Sequence, residues 1–218
     1  MENKILKRTY FVRHGSTVGN EANAYQVAET PLSETGQKQA FVVAERFKNI
    51  NIEGIISSDY LRTRQTAEAI SKATALPVET SELFRELRRP SDVLNKSKSD
   101  EYSKRVMKEI SEHQNDPEWH HGDEENPFDC LKRARAALNF LQNAPKEKFV
   151  VVTHNIFIKM LMSAMACPDN DRRAVEMHQN LYRLMIGENT GITVADFKVY
   201  NNAPEWQLHI WNDHAHLG

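Results

Sequence analysis

Cysteine, glycine-rich loops, charge of one sign and long apolar runs are all scarce in these 218 residues, and each shortage excludes a class of protein. Two cysteines, Cys130 and Cys167, cannot build a disulfide framework, which fits a reducing compartment. Eight glycines are spread along the chain without a glycine-rich loop at a helix start, so the phosphate cradles of nucleotide-binding folds are not supported. The formal charge of −2 and a pI near 6.5 provide no global positive field for nucleic acid or an anionic membrane. No apolar stretch is long enough to span a bilayer, and Met1 to Leu6 is too charged for a signal peptide. A cytoplasmic chain is expected, with no nucleic-acid or membrane partner.

Hydrophobic residues make up 40% of the chain, enough for one core, so a single domain over 1–218 is expected. Ile5 to Val12 reads as a strand, and Ser33 caps a run in which Ala40, Val43, Ala44 and Phe47 recur at helical spacing. Ile52–Ile56 and Pro77-Val78 read as short strands flanking a helix from Leu61 to Ile70. Lys96 to Asn126 is densely charged, and Tyr102, Val106 and Ile110 form only a narrow stripe, as in a helical insertion. A helix from Phe128 to Leu141 follows, then the run Phe149 to Val152, expected as a central strand buried on both faces. Ile156 to Met165 is an apolar helix, and Leu181–Ile186, Gly191–Phe197 and Trp206–Trp211 are three further strand candidates. Alternating strands and helices predict an α/β fold, a three-layer α/β/α sandwich with a mostly parallel central sheet and a helical insertion over the site.

Three of these strands end in polar residues of related chemistry: Arg13-His14, Ser57-Ser58 with Arg62, and Thr153-His154-Asn155. Parallel strands bring such ends together. A neutral imidazole can attack phosphorus while an arginine fork holds the oxygens, so Arg13-His14 reads as a phosphate-handling nucleophile. Arg62 falls in the first turn of a helix, where a cation is disfavoured by about 0.3–1 kcal/mol; an anion nearby, or a surface pairing with Asp59, offsets that. His154 can donate to a phosphoryl oxygen, or be a buried ring satisfied by the backbone. For His14 to attack, one ring nitrogen should donate to a carbonyl and leave the other free. Glu86, set between apolar neighbours in Leu83-Phe84-Arg85-Glu86-Leu87, is the candidate acid for the leaving alkoxide, with Glu82 as rival.

Two other constellations carry less. Cys167 and Arg173 have the spacing of a cysteine-dependent phosphatase loop, but Asp169 and Asp171 stand where that loop needs glycines. His120-His121 near Asp123 and Glu124, and His214 with His216 beside Asp213, lack a recognised metal-ligand spacing, so no metal site is expected.

With Arg13-His14-Gly15-Ser16-Thr17, Asn20, Pro31-Leu32-Ser33-Glu34-Thr35-Gly36, Ser57-Ser58-Asp59-Tyr60-Leu61-Arg62-Thr63 and Val151-Val152-Thr153-His154, the chain resembles the histidine phosphatase superfamily, in its phosphoglycerate mutase-like branch. The resemblance implies transient phosphorylation of His14, phosphate binding by Arg13, Arg62 and His154, a proton donor at Glu86, and Thr17 and Asn20 lining the phosphate pocket. Asn155 stands where the family usually has Gly, Leu87-Arg88-Arg89-Pro90 lacks the aromatic-rich pattern of mutases, and Glu21–Thr30 lacks their Gly-Trp element. These departures favour metal-independent hydrolysis of a small phosphomonoester, without cofactor. Phosphoglycerate mutase activity is the alternative, and a silent phospho-ligand binding module a further one. By the same analogy the 91–127 segment is a lid, with Arg88, Arg89 and His120 or His121 selecting the substrate.

Overall fold

The computed structural model describes residues 5–200 and 203–218, so most of the Met1–Leu6 segment lies outside the described residues. Strands are β1 (Ile5–Arg13), β2 (Gly54–Ser57), β3 (Val78–Thr80), β4 (Lys148–Thr153), β5 (Ile192–Tyr200) and β6 (Ala203–Asp213). Helices are α1 (Val18–Glu21), α2 (Glu34–Phe47), α3 (Leu61–Thr74), α4 (Glu101–His113), α5 (Pro127–Asn143), α6 (Asn155–Ala166) and α7 (Asp171–Leu184). The sheet order is β3-β2-β4-β1-β5-β6; the first four strands are mutually parallel, and β5 and β6 are antiparallel.

Side chains alternate across a strand, and here the alternation divides the core. Val12, Ile55, Val150 and Val152 face one way, onto Val43, Ala44 and Phe47 of α2 and Ala67 and Ile70 of α3. Phe11, Ile56, Phe149 and Val151 face the other, onto Leu131, Leu138 and Leu141 of α5 and Phe157, Met160 and Leu161 of α6. Helices thus cover both faces, and β4, the all-apolar run, lies between β2 and β1. No helix is long and apolar enough to cross a membrane among the described residues.

Helix starts follow local chemistry. Ser33 accepts from the Gly36 amide at 3.1 Å to open α2, and Asn126 with Asp129 forms a capping box before Pro127 to open α5.

One strand expectation is overturned: Leu181–Ile186 is not a strand but largely the last turns of α7. Asn170 caps that helix at the Arg173 amide, and Ala174, Met177, Leu181 and Met185 form a helical stripe against the core, whereas Leu184 and Ile186 stay exposed. A short apolar window does not separate strand from helix; the period appears only over the longer run.

The 91–127 segment contains one α-helix, α4, and has its own small cluster of Val93, Val106 and Ile110 with Tyr25, Tyr102, Met107 and Trp119. It is laced to the loop after α1 by backbone bonds from Tyr25 N to Lys96 O (3.0 Å), Asn95 N to Tyr25 O (2.9 Å) and Lys98 N to Asn23 O (2.9 Å).

The start of α2 presses on the loop that follows β1. A Cβ on Gly36 would stand 1.8 Å from the Ser16 carbonyl oxygen, so the two backbones meet where no side chain fits. Gly36→Ala is expected to cost on the order of 1–3 kcal/mol and to lower Tm by several degrees. Thermal denaturation checks this, and an unchanged Tm would mean the contact does not hold the loop.

Candidate active site

The site follows from strand register. Arg13 pairs with Thr153 across β1 and β4, and Ser57 pairs with Val152 across β2 and β4, so residues 14, 58 and 154 leave adjacent strand ends together. The His14 amide donates to Thr153 O at 3.0 Å, and the Ser58 amide to Val152 O at 3.0 Å. The rings of His14 and His154 lie 5.2 Å apart at their centroids, both buried.

His14 Nδ1 lies 2.7 Å from Gly15 O. A carbonyl can only accept, so Nδ1 carries the proton and Nε2 keeps a free lone pair. Burial first, then Arg62 and Arg13, hold the His14 pKa well below its usual 6.5. His154 is held low in the same way, by burial, then Arg62, with His14, Arg133 and Arg13 adding to it. Its Nε2 lies 3.0 Å from Ser58 Oγ, which also accepts from the Tyr60 amide at 3.4 Å. With the Ser58 proton turned to Nε2, His154 Nδ1 bears a hydrogen, and that buried atom has no partner.

Two guanidiniums complete the cluster. Arg13 donates through Nη1 to Gly187 O, and burial lowers its pKa. Arg62 is buried, donates through Nη1 to Val27 O at 2.9 Å, and has its pKa lowered to about 10, chiefly by burial. Its surface alternative does not occur, because Asp59 is engaged by Arg85, with Nε to Oδ1 at 2.7 Å. Among the described residues the Nε atoms of Arg13 and Arg62, like Nδ1 of His154, are buried without a partner. Buried polar atoms are normally satisfied, so two guanidinium nitrogens and a ring nitrogen without partners, beside a free imidazole nitrogen, make a setting that suits an anion.

Glu86 reaches this cluster from the loop that follows β3. Its Oε1 accepts from the Phe157 amide (2.9 Å) and the Leu87 amide (3.0 Å), and its Oε2 from the Ile156 amide (3.2 Å), so the start of α6 positions it. Glu82 points into solvent and pairs with Arg85 at 3.0 Å. Thr17 is fully buried as the N-cap of α1, its hydroxyl accepting from the Asn20 amide at 2.9 Å. The carbonyl oxygen of the Asn20 side chain accepts from the Thr17 amide at 3.2 Å.

Sequence reasoning missed two supports. Arg133 on α5 grips the loop that bears Glu86, donating to Leu83 O (3.0 Å), Arg85 O (2.7 Å) and Glu86 O (3.3 Å) while paired with Glu125 at 2.6 Å. Asn189 donates to His14 O at 2.8 Å. Neither belongs to a local motif, and only the fold brings them to the site. His120 and His121 are instead bound to carboxylates within their own region, to Asp129 at 2.7 Å and Asp92 at 3.1 Å. No group of three or more His, Cys, Asp or Glu that could hold a metal ion occurs among the described residues.

A model of the histidine phosphatase superfamily (branch 1) matches residues 9–214. A "Probable phosphoglycerate mutase GpmB" of Yersinia pestis is 34% identical over 168 residues, 73% of this chain and 75% of that protein. Among solved structures, a phosphoserine phosphatase from Entamoeba histolytica in complex with phosphoserine superposes with a TM-score of 0.77 at 23% identity, over 97% of this chain and 99% of that one. A mycobacterial glucosyl-3-phosphoglycerate phosphatase superposes with a TM-score of 0.73 at 23% identity, over 94% and 99%. At these identities the two structures speak for the fold.

The site predicts opposite behaviour for two sets of histidines. The unfolded chain protonates His14 and His154 near pH 6.5 and the folded chain does not, so their contribution to stability is present above that pH and is lost as pH falls through it. Asp129 and Asp92, by contrast, raise His120 and His121. In an NMR titration the ring signals of His14 and His154 should remain those of neutral imidazole at pH 6, while His120 and His121 are already mostly protonated. Titration of His14 at 6.5 would contradict the buried cationic setting.

Proposed function

The chain belongs to the histidine phosphatase superfamily (branch 1), whose members are phosphatases or mutases, and from that premise we propose a phosphomonoester hydrolase working through a phosphohistidine at His14. The observation that supports it most is the set of three bare buried donors, Arg13 Nε, Arg62 Nε and His154 Nδ1, around an imidazole whose Nε2 is free.

In the first step His14 Nε2 attacks phosphorus, the P–O bond to the leaving alcohol breaks, and the alcohol oxygen takes the proton of the Glu86 carboxyl. Arg13, Arg62 and His154 meet the charge on the non-bridging oxygens throughout, as fixed donors in a water-poor site. Asn20 adds its side-chain NH₂, turned by the Thr17 cap. In the second step water gives a proton back to Glu86 and attacks the phosphohistidine, which releases inorganic phosphate and restores the ring. Backbone amides at the mouth of α6 fix the position of the Glu86 carboxyl for this exchange. The 91–127 segment, laced to the loop after Asn20, serves as the lid.

The 34% identity to a probable phosphoglycerate mutase favours one rival, in which the phosphohistidine returns its group to bound product. Labelled substrate separates the two: hydrolysis puts the label in inorganic phosphate.

His14→Ala should remove turnover of p-nitrophenyl phosphate by several orders of magnitude, whereas a chelator should leave the wild-type rate unchanged. Chelator-sensitive hydrolysis would refute the mechanism. Glu86→Gln should slow alkyl esters by about 10²–10⁴-fold and activated aryl esters far less, because only the former need the proton. Equal losses measured on the two ester classes would remove Glu86 from its role.

A further inference from the structure

The turn after β6 carries His216, a half-buried ring that no step of the phosphate chemistry uses. Its two nitrogens face different elements. Nδ1 lies 3.4 Å from Nη1 of Arg46 on α2, and Nε2 lies 3.1 Å from the hydroxyl of Thr190 in the loop before β5. Arg46 is itself held by Asp213 at the end of β6. The hydrogens in this contact have one arrangement. A guanidinium only donates, so Nδ1 of His216 accepts from Arg46 and the ring hydrogen sits on Nε2. The Thr190 hydroxyl gives its own hydrogen to Asn189 O at 2.7 Å and therefore accepts from Nε2. Both ends of the ring thus demand the same neutral tautomer. Burial first, then Arg46, keeps the His216 pKa below its usual 6.5, with Asp213 opposing and His214 adding to the lowering.

The loop that receives this hydrogen bond also holds the nucleophile's backbone. Asn189 Nδ2 donates to His14 O at 2.8 Å, and the Thr190 amide donates to Arg13 O at 3.0 Å and to His14 O at 3.4 Å. On the opposite edge of the same peptide, the Gly15 amide donates to Thr66 Oγ1 at 3.1 Å. The His14–Gly15 peptide is therefore clamped at its oxygen and at its hydrogen. The next carbonyl along, Gly15 O, is the acceptor for His14 Nδ1, so the direction of that carbonyl decides where the free Nε2 points. Thr190 is a poor residue for its backbone. Its φ is +60°, a left-handed conformation that a branched Cβ disfavours, and it is wholly buried. Glycine would sit there at less cost, but it has no hydroxyl to join His216 to Asn189.

We propose that His216 is a positioning residue for phosphoryl transfer: through Thr190 and Asn189 it locks the His14–Gly15 peptide, and that peptide aims the His14 ring. The inference rests on the reading of His14 as the nucleophile. It gives the turn after β6 a part in the reaction without any contact to substrate, by a chain that runs from Arg46 on α2 to the His14 carbonyl.

The test separates hydrogen bonding from packing. His216→Phe keeps a flat ring and removes both hydrogen bonds, whereas His216→Gln restores an acceptor for Arg46 and a donor for Thr190. His216→Phe should lower kcat on p-nitrophenyl phosphate about tenfold and leave KM within about twofold, as expected when aim rather than binding is lost. His216→Gln should recover most of that loss. Thr190→Val keeps the branched Cβ without the hydroxyl, so it should match His216→Phe, and it reads the same link should the phenylalanine variant fold poorly. The double variant should be no slower than either single one, because both break one chain. Additive losses, or a glutamine variant as slow as the phenylalanine one, would overturn the positioning role.

A spectroscopic arm needs no substrate. The ring-nitrogen signals of His14 in a ¹⁵N NMR spectrum should move in His216→Phe and in Thr190→Val, and return in His216→Gln. Should wild-type protein hydrolyse no ester while the signals follow this pattern, the hydrolase reading fails and the positioning stands. Should the ester turn over with kcat unchanged in His216→Phe and Thr190→Val, the positioning alone fails. Signals that stay in place together with an inert wild type would end both.

Discussion

One pairing of strands governs everything at the site: the parallel register in which Arg13 of β1 lies opposite Thr153 of β4. Side chains in a strand have a period of two, so a slip of one residue would put Val12 on the face that Phe11 fills and carry His14 away from His154. The core therefore protects the site. Val12, Val150 and Val152 are wholly buried, and the free energy that seats them also fixes the distance between the two imidazoles. Gly36, where α2 touches the Ser16 carbonyl, holds the loop beyond that register.

The second constraint is electrostatic. Two guanidiniums and two imidazoles share a buried volume that Glu86 also acts on, and burial first, then the guanidiniums, keeps both rings neutral. Neutrality leaves His14 a free lone pair on Nε2 and the arginines as the carriers of positive charge. Glu86 can stand there because the first turn of α6 supplies amides for it, while Arg133 fixes its loop through three carbonyls.

Much of this was legible in the chain before any fold was seen. Arg13-His14, Arg62 and Thr153-His154 announced themselves because each follows an apolar strand-like run, and the parallel-sheet rule then gathered their ends. Glu86 was separable from Glu82 only in three dimensions, since what distinguishes them is the amide pair at residues 156 and 157. Arg133 and Asn189 were invisible because their partners lie about 50 and 175 positions away, a separation on which local spacing carries no information. The α7 region misled for the opposite reason: Leu181 to Ile186 is too short a window to tell a buried helical turn from a strand.

The small cluster of Val93, Val106 and Ile110 shares no member with the two cores that sandwich the sheet. Substitutions in groups that do not touch add rather than interact. Selection can thus reshape this outlying cluster without retuning the imidazoles, and one part of the gene can vary while the two main cores are inherited unchanged.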